Sequence, residues 1–140
     1  FLAFAAGAFL PIQAGINARM GKAAQSAVFA SLTSFVVGTI GLLLYMLLTK
    51  QQISISGIKS APTYAWFGGL LGAFYVTVIV LAFPKLGPGV TFGLVVAGQM
   101  IFSLLLEHNQ ILVEARNPIT LIKVFGVILI IAGVVILRRF

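Results

Sequence analysis

Five apolar stretches of roughly 20 residues fill almost the whole chain, and short polar connections separate them. A stretch of this length and composition crosses the hydrocarbon core of a bilayer as an α-helix, which satisfies its own backbone polar groups. Only 8% of the residues are charged, whereas soluble domains have roughly 25%. The sequence therefore predicts an all-α polytopic membrane bundle, a single transmembrane domain over residues 1–140, with helices at about 1–20, 26–49, 62–83, 89–108 and 118–138.

The helix boundaries rest on capping and breaking residues. Gly21 suits a helix C-cap, and Pro62 suits the first turn of the third helix, where a missing N–H costs least. The segment 84–88, which contains two prolines, separates the third helix from the fourth. Asn117 and Pro118 are typical of an N-cap and a first turn, so the fifth helix is expected to start there.

The basic residues predict how the chain inserts. Five crossings place the first and last helices' outer ends on opposite sides of the membrane, and the basic residues then sort by side. The split is too even for the positive-inside rule to fix one orientation, so we expect insertion both ways up. Since the cations stand at helix ends, anionic lipid head groups are the expected partners and nucleic acid is not. One side carries Arg19, Lys22, Lys85, Arg138 and Arg139; the other carries Lys50, Lys59, Arg116 and Lys123.

Small residues at helical spacing predict where helices approach closely. Helix association in lipid depends on backbone contact, which Gly and Ala permit. Two interpretations stay open for these stripes: a dimer contact or sliding surface, and ordinary packing within one subunit. The packing or dimer candidates are Gly68 and Gly72 in the third helix, Gly89 and Gly93 in the fourth, and Gly126 and Gly133 in the fifth.

Polar residues within the apolar stretches are the candidates for function. Pro11 lies near the middle of the first helix and leaves the carbonyl of Gly7 without its helical donor, and transporters often build sites at such breaks. Gln13 and Asn17 are four residues apart, so both amides lie on one helix face. An amide facing lipid costs several kcal/mol, roughly 2–7 depending on the reference, so these side chains are expected to face protein or water.

The third and fourth helices add further polar candidates. Gln99, Ser103 and Glu107 repeat every four residues along the fourth helix, and Tyr75 lies near the middle of the third. Two roles stay open for the set of Pro11, Gln13, Asn17, Tyr75, Gln99 and Ser103, namely lining a substrate site and locking helices together. Glu107 is a possible proton site, with a solvated helix-end carboxylate as the alternative.

Several chemistries lack the residues that they need. The chain has no cysteine and one histidine, His108, and its two carboxylates, Glu107 and Glu114, lie near the same interface. A metal centre would need more convergent ligands, and no nucleophile has a base and an orienting partner at depth. We therefore predict no metal, no cofactor and no enzymatic activity.

Four sequence segments resemble the YdcZ-like family, a five-helix bacterial branch of the drug/metabolite transporter (DMT) superfamily. They are residues 10–21 (LPIQAGINARMG), residues 68–77 (GGLLGAFYVT), residues 95–99 (VVAGQ) and Glu107-His108. The resemblance covers nearly the whole chain, and its first-helix motif is fairly specific.

The resemblance implies a multi-pass protein of the bacterial inner membrane with a largely unassigned small-molecule substrate. It also implies pairing with an oppositely inserted partner, because related branches work as antiparallel dimers, as pairs of inverted paralogues or as fused inverted repeats. Relatives in the small multidrug resistance branch carry a glutamate in the first helix. Here Gln13 and Asn17 stand in that helix instead, so proton-coupled drug export is not carried over.

Together, residues and resemblance predict a secondary transporter of a small solute that works as an antiparallel, dual-topology homodimer. The alternatives are one half of a heterodimeric transporter with an inverted paralogue, and a non-transporting, lipid-interacting or accessory membrane subunit. A water-accessible cavity that reaches Gln13 and Gln99 would favour transport, whereas a dry, closed seam would favour the non-transporting subunit.

Overall fold

A computed structural model describes residues 1–139, which form helices and connections without a strand. The chain divides into two compact units, Phe1–Pro84 and the part that begins at Lys85. The helices of the described chain are α1 (Leu2–Ala23), α2 (Ala27–Thr49), α3 (Ile55–Ser60), a 3-10 helix (Thr63–Phe67), α4 (Gly68–Asn109) and α5 (Leu121–Arg139).

The helix α4 contains two of the predicted membrane helices. At 1.5 Å per residue, its 42 residues would extend about 63 Å, roughly twice the thickness of the hydrocarbon core. Helical geometry is interrupted at Gly87, where φ is 77° and ψ is 163°. This left-handed φ favours glycine. The predicted break between the third and fourth helices is therefore confirmed, and Gly87 is the residue that makes it.

Three helical stretches within the described residues are long and apolar enough to cross a membrane: Ala27–Thr49, Thr63–Asn109 and Leu121–Arg139. The second of these has 47 residues and includes the interruption at Gly87, so it accounts for two of the five predicted helices. The helix α1 has the length of a crossing but is not among the three. Its amides and basic residues, including Gln13, Asn17 and Arg19, make it less apolar than the others.

Close backbone approach organises the first unit. The helix α1 continues through Gly21 to Ala23, so Gly21 is not the predicted C-cap, and the left-handed residue of the turn is Gln25 (φ 54°). A Cβ atom on Gly21 would lie 2.9 Å from Val80 Cγ1 and 3.6 Å from Ala30 Cβ. The glycine thus lets α1 approach both α2 and α4, and Val80 and Ala30 are buried there.

Capping residues explain where α2 and α5 begin. Ser26 precedes α2, and its hydroxyl oxygen accepts a hydrogen bond from the Phe29 N–H at 3.1 Å. The helix α5 begins at Leu121, and Thr120 Oγ1 accepts from the Lys123 N–H at 3.4 Å. The predicted start at Asn117 and Pro118 was therefore too early, because the threonine hydroxyl reaches the free N–H groups of the first turn.

In the second unit, α4 and α5 are in close contact. A Cβ atom on Gly93 would lie 2.6 Å from Cγ2 of Val134, a buried residue of α5. The connection between these helices also folds back on the end of α4. The Asn117 N–H donates to the Glu107 carbonyl at 3.1 Å, and the Ile119 N–H donates to His108 Nδ1 at 3.2 Å.

Candidate functional site

A cluster of three polar side chains joins α1 to α2. Gln13 Nε2 donates to Ser34 Oγ at 3.3 Å, and Asn17 Nδ2 donates to the same oxygen at 3.2 Å. The four-residue spacing of the two amides places both on the face of α1 that contacts α2. Asn17 is buried, with 6% of its surface exposed, whereas Gln13 is exposed. We call Gln13, Asn17 and Ser34 the polar cluster.

Ser34 differs from the other hydroxyl residues of α2. A hydroxyl within a helix commonly donates to the carbonyl four residues earlier, which satisfies it locally. The other four serine and threonine residues of this helix do so, at 2.7–2.9 Å: they are Ser31, Thr33, Thr39 and Thr49. The Ser34 hydroxyl accepts two hydrogen bonds from α1, and the structure gives its own hydrogen no acceptor within the described chain.

The polar cluster opens into a groove between α1 and α2 with a volume of about 550 Å³. This volume is within the range of about 300–1,000 Å³ that is typical of small-molecule sites. Lysine, arginine and carboxylate side chains are absent from its lining, so the groove has no fixed charge. Its walls are Phe9, Leu10, Ile12, Gln13, Ile16, Asn17, Met20, Ala30, Thr33, Ser34 and Val37.

A second hydroxyl pair connects α2 to α4 within the first unit. Thr77 Oγ1 lies 3.0 Å from Ser31 Oγ and 2.8 Å from the Ala73 carbonyl oxygen, and Ser31 in turn donates to the Ala27 carbonyl. Ser31 is buried and Thr77 is partly buried. Both hydroxyl hydrogens are used within the first unit, so this pair contributes to packing and has no hydrogen left to donate to a ligand.

The other four predicted lining residues are distributed over both units. Pro11 lies on α1, partly buried, but outside the groove lining. Tyr75 is partly buried, and its hydroxyl has no hydrogen-bond partner among the described residues. Gln99 is exposed and Ser103 is partly buried, and both belong to the second unit. Within the first unit, the structure therefore brings together Gln13 and Asn17, with a third partner from α2.

Glu107 takes part in a charged cluster at the end of α4. Lys123 Nζ lies 3.8 Å from Glu107 Oε2, and both side chains are partly exposed. The same ammonium group donates to the Pro118 carbonyl at 3.0 Å and to the side-chain oxygen of Asn117. Arg116 Nε donates to the His108 carbonyl at 3.2 Å. The carboxylate thus stands beside a lysine that also holds the connection to α5.

The predicted packing glycines divide into two groups. Gly93 faces Val134, and a Cβ atom on Gly72 would lie 3.2 Å from the Phe35 ring. The remaining four have open space where a Cβ atom would be, so their surfaces are not used by the described chain; they are Gly68, Gly89, Gly126 and Gly133.

Sequence reasoning missed Ser34, and with it the part that α2 has in the site. A signal was present, since Ala27 with Ser31 and Ala30 with Ser34 give α2 two pairs of small residues at four-residue spacing.

A second cavity, of about 190 Å³ in the second unit, has only apolar lining residues between 101 and 128. The described residues contain no group of three or more His, Cys, Asp or Glu that could hold a metal ion.

Comparison with known proteins agrees with the resemblance in the sequence. The model of the family DMT_YdcZ, described as "Putative inner membrane exporter, YdcZ", matches residues 1–136. Searches of curated proteins and of solved structures gave no match. The match covers almost the whole chain, including α1, α2 and the polar cluster between them. The chain is a membrane protein that belongs to the DMT_YdcZ family of membrane transporters.

Proposed function

We propose that the chain is the subunit of a small secondary transporter in the bacterial inner membrane, which exports a small solute without a net charge. The observation that carries this proposal is the polar cluster, which opens into a groove of about 550 Å³. Polar side chains that only hold two helices together would direct their donors and acceptors to the partner helix. Here only one hydrogen of each amide is used, and the remaining groups are available to a solute.

We further propose that the working unit is an antiparallel homodimer of oppositely inserted copies. The even distribution of basic residues favours both orientations, and an odd number of crossings gives such a pair the symmetry of an inverted-repeat transporter. Gly89, Gly126 and Gly133 have open space beside them, and a second copy is the proposed occupant. Dimerisation would also cover the exposed Gln99. In this arrangement Pro11, Tyr75, Gln99 and Ser103 complete the lining of the site.

Glu107 is the proposed proton site, if transport is coupled to protons. Its partner Lys123, at 3.8 Å, also holds the connection before α5 through Asn117 and Pro118. Protonation of the carboxylate would remove the attraction to the lysine, while the bonds of Lys123 to Asn117 and Pro118 would remain. Replacement of Glu107 by Gln should then make export independent of the pH difference across the membrane.

The test of transport uses variants of the polar cluster. Cells that produce the wild-type protein are compared with cells that produce Gln13→Ala or Asn17→Ala, and mass spectrometry compares the small molecules in the medium. We expect compounds that accumulate with the wild type and not with these variants. Thr39→Ala is the matched control, because the Thr39 hydroxyl donates only to the Phe35 carbonyl of its own helix. Chromatography in detergent checks that assembly is unchanged.

The test of orientation uses the absence of native cysteine. Single cysteines replace Ala24, in the turn after α1, or Ser56, in α3, and both positions are exposed. A membrane-impermeant thiol reagent is applied to intact cells and to permeabilised cells. Roughly half labelling of each site from outside would support two orientations. Labelling of one site alone would show a fixed orientation and would point to an inverted paralogue as the partner.

The alternative from another class is a non-transporting membrane subunit whose polar cluster only holds α1 to α2. In that case Gln13→Ala and Asn17→Ala would weaken assembly. No compound in the medium would depend on the intact cluster.

A further inference from the structure

We propose that the groove between α1 and α2 binds an uncharged amphiphile, whose head is a hydroxyl or a primary amide and whose apolar body lies between the two helices. This inference rests on the proposed function and names the chemical class of the solute. It follows from three observations: the hydrogen-bonding groups that the polar cluster leaves unused, the absence of charged side chains from the groove lining, and the order of residues along the groove.

The polar cluster presents donors and acceptors at the same point. The Ser34 hydroxyl accepts from both amides, so its own hydrogen is left to donate. In the described chain the carbonyl oxygens of Gln13 and Asn17 accept no hydrogen bond, and each amide retains a second N–H. A ligand head that can both donate and accept satisfies these groups, as a hydroxyl or a primary amide does.

The composition of the groove lining argues against a charged ligand head. Neither a cationic nor an anionic side chain lines the groove, and the Thr33 hydroxyl already donates to the Phe29 carbonyl. An ionised head would lose its hydration there without a counter-charge, which is far more costly than moving a neutral hydroxyl or amide. The groove should therefore discriminate against organic ammonium ions and carboxylates of the same length.

The order of residues gives the ligand an orientation. The helices α1 and α2 are joined by a short turn, with Met20 and Ala30 at the turn end of the groove and Phe9 and Val37 at the far end. The residues from Phe9 to Met20 extend about 16 Å at the helical rise. The polar cluster lies between the two ends. The side of Phe9 and Val37 has only apolar lining residues, whereas the turn side includes the Thr33 hydroxyl. The head is thus held at Ser34, and the apolar body extends away from the turn.

A photoreactive probe tests the proposal. The protein in lipid nanodiscs is irradiated with a ten-carbon primary amide that carries a diazirine in its chain, and mass spectrometry locates the adducts. We expect adducts at residues 9–20 and 30–37, and we expect excess decanamide or 1-decanol to suppress them. Decanoate and decylammonium should compete at least about tenfold more weakly, since one uncompensated charge costs well over 1.4 kcal/mol.

Two pairs of variants connect the adducts to the groove. Ser34→Ala should reduce labelling about fivefold, the effect of one lost hydrogen bond, while Thr39→Ala should leave it unchanged. Because Ser34→Ala also removes the acceptor for the α1 amides, a second variant keeps the polar cluster intact. Val37→Trp fills the far end and should block labelling. Val36→Trp should not, since Val36 is the preceding residue of α2 and does not line the groove.

The outcomes separate this inference from the proposed function. Adducts spread evenly over the lipid-facing surface, or equal competition by charged and uncharged compounds, would overturn the assignment of the solute class. If Gln13→Ala abolishes export while the probe does not label the groove, the chain is a transporter of a different class of solute. If the probe labels the groove and no export depends on Gln13, the groove is a lipid-binding site and the transporter proposal fails.

Discussion

Replacement of Gly93 by alanine should destabilise the second unit, because the added methyl group has no room. Its Cβ atom would lie 2.6 Å from Val134 Cγ2 and 3.3 Å from Cγ1, whereas carbon atoms in contact prefer about 3.5–4.0 Å. Val134 is β-branched and buried, with 7% of its surface exposed, so it cannot rotate away freely. Either the side chain or the two helices must move by about 1 Å, and overpacking of this kind costs roughly 1–3 kcal/mol.

Gly89→Ala is the matched control for this prediction. Gly89 also lies in α4, and a Cβ atom there would meet nothing within 4 Å. Both substitutions gain helix propensity, about 1 kcal/mol in an exposed helix, so the difference between them isolates the steric cost. The free energy of unfolding is measured by titration with denaturing detergent. Gly93→Ala should be about 1–3 kcal/mol less stable than Gly89→Ala, and the pair Gly93→Ala with Val134→Ala should recover part of the loss. Equal stability of the two single variants would refute the close packing of α4 on α5.

Three further predictions concern single positions. His108→Leu removes the acceptor of the Ile119 N–H and should speed trypsin cleavage after Arg116 about fivefold. His108→Asn keeps a nearby acceptor and should change the cleavage rate less than about twofold. Unchanged cleavage in His108→Leu would refute a role for this hydrogen bond. Gly21→Ala should lower the free energy of unfolding by roughly 1–2 kcal/mol against Gly7→Ala, which has open space, and equal values would contradict the contact with Val80. Gln13→Leu should abolish export and raise the stability of the bundle by up to about 1 kcal/mol. A loss of stability in that variant would mean that the amide is structural.

Most of the fold follows from hydropathy and from helix-breaking residues, because both act locally. The interruption of α4 lies within the segment 84–88, which the two prolines and a glycine marked in the sequence. The roles of particular residues were less predictable. Gly21 and Thr120 show why: whether a glycine caps a helix or allows a neighbouring helix to approach depends on contacts with residues far away in the chain. Asn117 and Thr120 both have side chains that can cap a helix N-terminus, and only the loop geometry decides which of them precedes α5.

The site was predictable on one helix and not on the other. Gln13 and Asn17 stand out because amides are rare in an apolar stretch and their spacing fixes a common face. Ser34 does not stand out, because a serine in a membrane helix is usually satisfied by its own backbone, as Ser31 is here. What distinguishes Ser34 is the direction of its hydroxyl, and this depends on the rotation of α2 against α1, which the sequence pattern does not determine.

The energies of the polar cluster favour a site over a helix lock. Hydrogen bonds between membrane helices contribute about 0.6 kcal/mol on average and at most about 2, whereas an amide without partners in an apolar environment costs more than that. The two bonds to Ser34 therefore do not offset the cost of placing the buried Asn17 amide and the exposed Gln13 amide in an apolar stretch, where their carbonyl oxygens accept nothing in the described chain. A cluster that served only to join α1 to α2 would be improved by leucine at position 13. The presence of Gln13 is explained when a solute, water or a second copy supplies the missing partners, as in the proposed transport. The combined loss of export and gain of stability in Gln13→Leu is the result that this explanation requires.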